Sequence, residues 1–250
     1  MSTAIAVVLA AGKGTRMKSE LPKVLVPACG RAMIRYVIDG LRAAGIGKVI
    51  VVVGYQADLV REELADESDV AFVEQTEQLG TGHAVMVCRD ELAGHEGPVV
   101  IVTGDSPMLQ ASSVRALLDE FQSTGAACLL GTAHRDDPTG LGRIVRDEAG
   151  AFVGIVEQKD ATPDEQKITE VNMSTYLFAG PKLLTALDAL TTDNAQSEYY
   201  ITDCPGILLD RGEDVRALAA LKPCEALSVN TMDDLTVVEE EMRRLAAADA

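Results

Sequence analysis

The chain has 250 residues, 47% of them apolar and 24% charged, with a formal net charge of −17. That balance excludes a disordered chain, and so acidic a total argues against a nucleic-acid partner, whose phosphates call for a basic face. The longest apolar runs, KVIVVVG and PVVIVTG among them, are too short to cross a bilayer, so no membrane partner is expected.

The opening stretch MSTAIAVVLAAGKG has no basic leader and no cleavage-type boundary, and IAVVLA within it reads as a first strand rather than a signal peptide. MIRYVIDGLRAAG follows, with Met33, Ile34, Val37, Ile38 and Leu41 at helical spacing and Gly45 as its stop. The alternation then repeats. KVIVVVG precedes ADLVREELADE, AFVEQ precedes GTGHAVMVCRDELAG, and PVVIVTGD precedes SSVRALLDEFQSTG. Continuous apolar strands alternating with amphipathic helices predict an α/β fold, a mostly parallel sheet covered on both faces.

After Gly125 the pattern loosens. GRIVRDEAGAFVGIVEQ predicts a hairpin turning near Ala149 and Gly150, and EVNMSTYLFAG predicts another strand. TMDDLTVVEEEMRRLAAADA predicts a terminal helix, with Asp at its start and Arg near its end to match the helix dipole. No linker or solenoid period divides the chain, so one domain over 1–250 is expected, with no further domain after the helix. Cys29, Cys88, Cys128, Cys204 and Cys224 are scattered, odd in number and never spaced C-x-x-C. This fits a reducing, cytoplasmic setting with neither a disulfide framework nor a zinc site.

The stretch LAAGKGTRMKSELPK, running from Leu9 to Lys23, carries the chemistry. It leaves the carboxyl end of the first strand, where open α/β sheets bind ligands. Its small residues let backbone N–H groups approach an anion, and Lys13, Arg16, Lys18 and Lys23 are opposed only by Glu20. Such a loop suits a polyphosphate. It is neither G-x-G-x-x-G nor G-x-x-x-x-G-K-[ST], so it is not a dinucleotide fingerprint or a Walker loop.

LAAGKGTRMKSELPKVL resembles the signature of sugar-nucleotide pyrophosphorylases, L-A-A-G-x-G-T-R followed by P-K. More closely, the chain resembles the N-terminal uridyltransferase domain of the bifunctional GlmU family. EQLGTGHA, GD-x-P, DDPTGLGRI, GIVEQKDAT, NAQSEYYITD and SVN fall in that family's order along nearly the whole chain. The resemblance implies a Rossmann-like three-layer α/β/α nucleotide-diphospho-sugar transferase fold. Residues 1–125 would bind the nucleotide, 126–230 the sugar, and 231–250 would form the terminal helix.

It also implies a reaction: UTP and N-acetylglucosamine 1-phosphate condense to UDP-N-acetylglucosamine and pyrophosphate, assisted by Mg2+. Leu9, Ala10, Ala11, Gly12, Gly14, Thr103 and Gly104 would line the nucleotide, and Gln75, Gly80 and Thr81 would read the uracil. Arg16 would hold pyrophosphate, Lys23 would neutralise the α-phosphate, and Asp105 and Asn230 would hold the metal. Gly142, Glu157 and Asn172 would contact the sugar. Two positions depart from the family: Asn172-Met173-Ser174 stands where Asn-Thr-Gly is usual, and Thr103 stands where an aromatic residue is usual. They leave open another UDP- or dTDP-hexose, or a non-catalytic relative that only binds a sugar nucleotide. The hexapeptide repeats of the bifunctional relatives are missing, so no acetyltransferase activity is expected, and the oligomeric state is expected to be a monomer or small homo-oligomer.

Overall fold

The computed structural model describes residues 3–194 and 196–248. At its centre lies β1 (Ile5–Ala10), parallel to β4 (Lys48–Val53) on one side and to β6 (Pro98–Thr103) on the other. β2 (Pro27–Ala28) and β3 (Arg31–Ala32) form a small separate hairpin between β1 and β4 in sequence. β5 (Val70–Glu74) extends the sheet beyond β4. Strands flanked on both sides and covered on both faces need apolar residues at every position, which is why IAVVLA and VIVVV do not alternate.

Each face has its own core. Ala6, Val8 and Ala10 of β1 pack with α1 (Met33–Ala43), α2 (Ala57–Glu63) and α5 (Ala111–Thr124). Ile5 and Val7 pack on the other face with α3 (Thr81–Met86), α4 (Arg89–Leu92), α6 (Gly180–Leu187) and α7 (Asp203–Asp210). The result is the expected three-layer arrangement. Gly45 stops α1 as read, taking φ +95° just past it, and Gly125 ends α5 in the same way, taking φ +66° as its N–H closes on Phe121 O. GTGHAVMVCRDELAG, read as one helix, is broken into α3 and α4, because Cys88 N bonds back to Val85 O and tightens the turn.

The second half enters the same sheet. β7 (Cys128–His134), β10 (Glu170–Ala179) and β11 (Val215–Leu218) complete the order β11-β7-β10-β6-β1-β4-β5. β10 runs antiparallel to both neighbours, β6 and β7, while β11 is parallel to β7. The predicted hairpin is β8 (Arg143–Arg146) and β9 (Phe152–Val156), turning through Gly150 and joined to β10 at Val171. The terminal helix is α8 (Met232–Ala248), whose Leu235 and Val238 pack with Met17, Val26 and Met33. Its Arg243 and Arg244 lie a turn short of the end and pair with Glu239 and Glu241 rather than with the final carbonyls, so the expected dipole match holds only at the Asp end. Residues 249–250 lie outside the described residues. Among the described residues no helix is long and apolar enough to cross a membrane.

A buried network ties the hairpin to the sheet. Arg146 donates to Glu170 Oε2 and Oε1 at 2.7 and 2.6 Å, and Thr132 Oγ1 donates to Glu170 Oε1. Glu170 is 7% exposed, yet its carboxyl is held below the usual range: burial pushes it up, and the Arg146 and Thr132 hydrogen bonds outweigh that push. Glu170→Ala would strand Arg146 and is expected to cost about 2 kcal/mol or more, read by urea unfolding near neutral pH. A midpoint unchanged from the parent chain would show the network to be energetically neutral.

Candidate active site

The strand order reverses at β1. The chain crosses through α1 to β4 on one side, and β6 returns on the other, which opens a crevice at the carboxyl end of β1. The glycine-rich loop borders that crevice. Gly14 takes φ +64°, and a Cβ there would lie 2.6 Å from Lys23 Cβ, so only glycine lets the Lys23 stem cross the loop.

Lys23 then reaches the end of β6. Its Nζ lies 2.5 Å from Asp105 Oδ2 and donates to Asn230 Oδ1 at 3.1 Å. Arg16 Nη2 donates to the same Asn230 oxygen at 3.1 Å. Asn230 is fixed by the start of α8, where Asn230 N and Thr231 N both donate to Asp234 Oδ2, at 2.9 and 2.8 Å. Four predicted residues from segments over 200 positions apart therefore meet at one point. The other loop cations do not join them. Lys13 lies over the Tyr55 ring at 5.1 Å, and Lys18 is exposed with φ +51°.

A cavity of about 380 Å³ opens beside this cluster. Of the residues singled out from sequence, Leu9, Ala10, Ala11, Gly12, Gly14, Lys23, Gln75, Gly80, Thr81, Thr103 and Asp105 line it. Gly104 sits behind the lining, where its N–H joins β6 to Leu9 O at 2.9 Å. Gln75 is 3% exposed, with its amide nitrogen 3.0 Å from Gly80 O and 3.1 Å from His83 Nδ1. The sequence reading has Gln75 offering both donor and acceptor to a base. Its nitrogen is engaged within the protein, and the carbonyl oxygen is the group left to a ligand.

Gly80 opens α3 with φ +106°, and a Cβ there would lie 2.4 Å from Tyr199 O. That close approach joins the two halves: Gly82 N donates to Tyr199 O and Tyr199 N to Leu79 O, both at 2.8 Å. Gly80→Ala adds a clash with backbone to an unfavourable φ and is expected to cost about 3 kcal/mol. A melting temperature within 2 °C of the parent, about the shift of 1 kcal/mol in a chain this size, would refute the close approach.

A second cavity, about 520 Å³, shares Leu9, Thr81 and Thr103 with the first, so the two form one trough. Glu157 lines it, and burial followed by the neighbouring charges of Asp160 and Asp203 raises its carboxyl above the usual range. The other two sugar residues read from sequence stand one layer back. Asn172 is buried, with Nδ2 donating to Tyr176 Oη at 2.8 Å and Oδ1 accepting from Ser174 N at 3.2 Å. Gly142 O accepts from Asn172 N at 2.9 Å. From β10, the residues that line the space are Ser174 and Tyr176. Ser174 takes φ +52° at the bulge in β10 between Asn172 and Thr175, a left-handed conformation held by a side chain rather than by glycine.

Sequence reading missed several lining residues. Val24, Gln78, Ala84 and Glu198 complete the first cavity, and the second adds Asn194, Gln196, Tyr200 and Thr202, with Gly140, Gln158, Lys159, Asp160 and Ile201 beside them. Many of these come from NAQSEYYITD, a run of amides and tyrosines without periodicity between two helices. That composition was the available signal for a wall shared by both cavities.

A Rossmann-like sheet with a cationic loop and a carboxylate at adjacent strand ends is the architecture of a nucleotidyltransferase. The chain belongs to the family of MobA-like NTP transferase domains, a class of nucleotidyltransferase enzymes, matching that domain over residues 6–201. It is 45% identical over 98% of its length to the bifunctional protein GlmU of Listeria innocua serovar 6a. Identity to the bifunctional GlmU proteins of Pelotomaculum thermopropionicum and Streptococcus thermophilus is 43% over 98% and 45% over 96% of the chain. The chain spans about half the length of these relatives, 53% in the first two and 52% in the third.

Proposed function

We propose that the chain transfers a uridylyl group from UTP to N-acetylglucosamine 1-phosphate, releasing pyrophosphate, with UTP in the smaller cavity and the sugar in the larger. A phosphate oxygen of the sugar 1-phosphate attacks the α-phosphorus, the bond to the bridging oxygen breaks, and pyrophosphate departs with the electron pair. The convergence of Arg16, Lys23, Asp105 and Asn230 at the edge of the smaller cavity carries this reading. Chemistry of this kind depends on positioning and charge neutralisation rather than on a protein nucleophile. Residues 1–125 and 126–230 then serve as nucleotide and sugar halves within one folded unit.

Mg2+ fits the residues present. Oxygens of Asp105 and Asn230 already converge on one cation, the Lys23 ammonium, at 2.5 and 3.1 Å. Among the described residues no group of three or more His, Cys, Asp or Glu could hold a metal, and Mg2+ commonly takes only one or two protein oxygens beside substrate phosphates and water. Bound there by Asp105 and Asn230, the ion would supply charge neutralisation to the phosphates. Lys23 then shifts its contact to the α-phosphate, and Arg16 offers a fork of donors to the leaving pyrophosphate.

The test is pyrophosphate release with UTP, Mg2+ and a panel of N-acetylglucosamine, N-acetylgalactosamine, glucosamine and glucose 1-phosphates. Preference for N-acetylglucosamine 1-phosphate is expected. Preference for another sugar would keep the reaction and reassign the substrate through Ser174. Binding of UTP without release from any sugar would favour a non-catalytic role.

A further inference from the structure

Behind the larger cavity stands a buried cation that the reaction above does not use. Arg143, the first residue of β8, is 2% exposed. Among the described residues no carboxylate lies within ion-pair distance of it. Its Nη2 donates to Gln158 Oε1 at 2.7 Å, its Nη1 donates to Leu141 O, and its Nε has no partner. Burying a guanidinium whose hydrogen-bond acceptors are all neutral is unfavourable, and the charge it feels, that of Asp137, lies beyond ion-pair distance. What the group offers there is its rigid planar fork.

The fork joins two segments of the cavity wall. Gln158 Oε1 also accepts from Gly140 N at 3.0 Å, and both Gly140 and Gln158 line the larger cavity. Glu157, the residue before Gln158, lines the same cavity. A Cβ placed on Gly142 would meet Glu157 Oε1 at 3.4 Å, so Gly142, next to Arg143, lies directly against that carboxylate. Neither Gly140 nor Gln158 lines the smaller cavity.

We propose that Arg143 is a positioning residue for the sugar 1-phosphate subsite: its fork holds residues 140–142 and Gln158 together, and that junction sets where the Glu157 carboxylate stands. The inference rests on the two-cavity assignment given under the proposed function. It has a signature that simple destabilisation lacks, because the junction touches the larger cavity alone.

Steady-state kinetics on the full chain test it, varying the sugar 1-phosphate and UTP separately, with Arg143→Lys, Gln158→Leu, Gln158→Glu and the Arg143→Lys/Gln158→Leu double variant. Arg143→Lys and Gln158→Leu are each expected to raise KM for the sugar 1-phosphate by about tenfold, the scale of one hydrogen bond to a charged group, with KM for UTP within about twofold. The double variant is expected to be little worse than either alone, since both break one junction. Gln158→Glu keeps an acceptor for Arg143 and Gly140 and is expected to recover most of the loss seen in Gln158→Leu. Parallel rises in both KM values, or simple additivity in the double variant, overturn the proposal. If Arg143→Lys fails to fold, the Gln158 pair decides: a Gln158→Glu variant as impaired as Gln158→Leu overturns it. An unsubstituted chain that releases no pyrophosphate from any sugar 1-phosphate removes the underlying two-cavity reading and the inference with it. Release by that chain with unaltered KM values in the variants overturns the inference alone.

Discussion

With Asp105→Ala, pyrophosphate release is expected to fall by about 10³-fold or more, while UTP binding measured without a divalent ion stays within a few-fold of the parent. The asymmetry follows from what the carboxylate touches. Asp105 is one of two side chains whose oxygens converge at the cleft mouth, and its partner there is Lys23 at 2.5 Å. Removing it takes away one of the two protein oxygens available to a metal and frees Lys23 from its position. The walls that would hold the base and ribose, built from Leu9, Ala10, Gln75 and Thr81, keep their contacts. Isothermal titration with UTP alone and a coupled pyrophosphate assay separate the two effects. Turnover within tenfold of the parent would remove Asp105 from the metal site.

The second large effect is at Lys23. Lys23→Ala is expected to lower kcat by about 10²-fold, with a smaller change in KM for UTP, as befits a donor whose contact strengthens as charge builds in the transition state. Its partners in the structure are Asp105 and Asn230, and in the proposed reaction it would exchange these oxygens for those of the α-phosphate. Lys23→Arg is not expected to rescue. The stem runs against Gly14, where a single added Cβ would already sit 2.6 Å away, and a planar fork cannot reproduce a compact ammonium there. A loss confined to KM, with kcat untouched, would contradict a role in the transition state.

The loop side of this site was legible in the sequence because it is local. Strand, glycine-rich loop and cations lie within residues 5–23, and Asp105 marks the end of an unmistakable buried strand. Asn230 was legible only through resemblance, since nothing in SVN signals that α8 will carry it within 3.1 Å of Lys23. The larger cavity was harder for a physical reason. Asn172 and Glu157 sit in the same region, but the polar face of the cavity depends on which way β10 points each residue. The bulge between Asn172 and Thr175 turns Asn172 inward to Tyr176 and leaves Ser174 lining the space. Bulges and antiparallel insertion leave no period in a sequence. The splitting of GTGHAVMVCRDELAG into two helices was invisible for the same reason, since its apolar spacing continues across the break.

The placement of β10 between β6 and β7 has a consequence for how such a protein changes its substrate. Tyr176 pairs with Ile101 and Phe178 with Val99, two strands' worth of backbone locked side by side. The separation between the two halves of the trough is therefore a fixed number of peptide units, not a hinge angle. A one-residue slip would turn Ser174 and Tyr176 to the opposite face along with every neighbour, and the core would not tolerate it. Variation is confined to what the bulge permits, the identity of one or two side chains at an unchanged spacing. Related chains should thus vary in the side chains that the bulge presents while keeping the spacing along β10 constant, and Ser174 is the position where such variation would act.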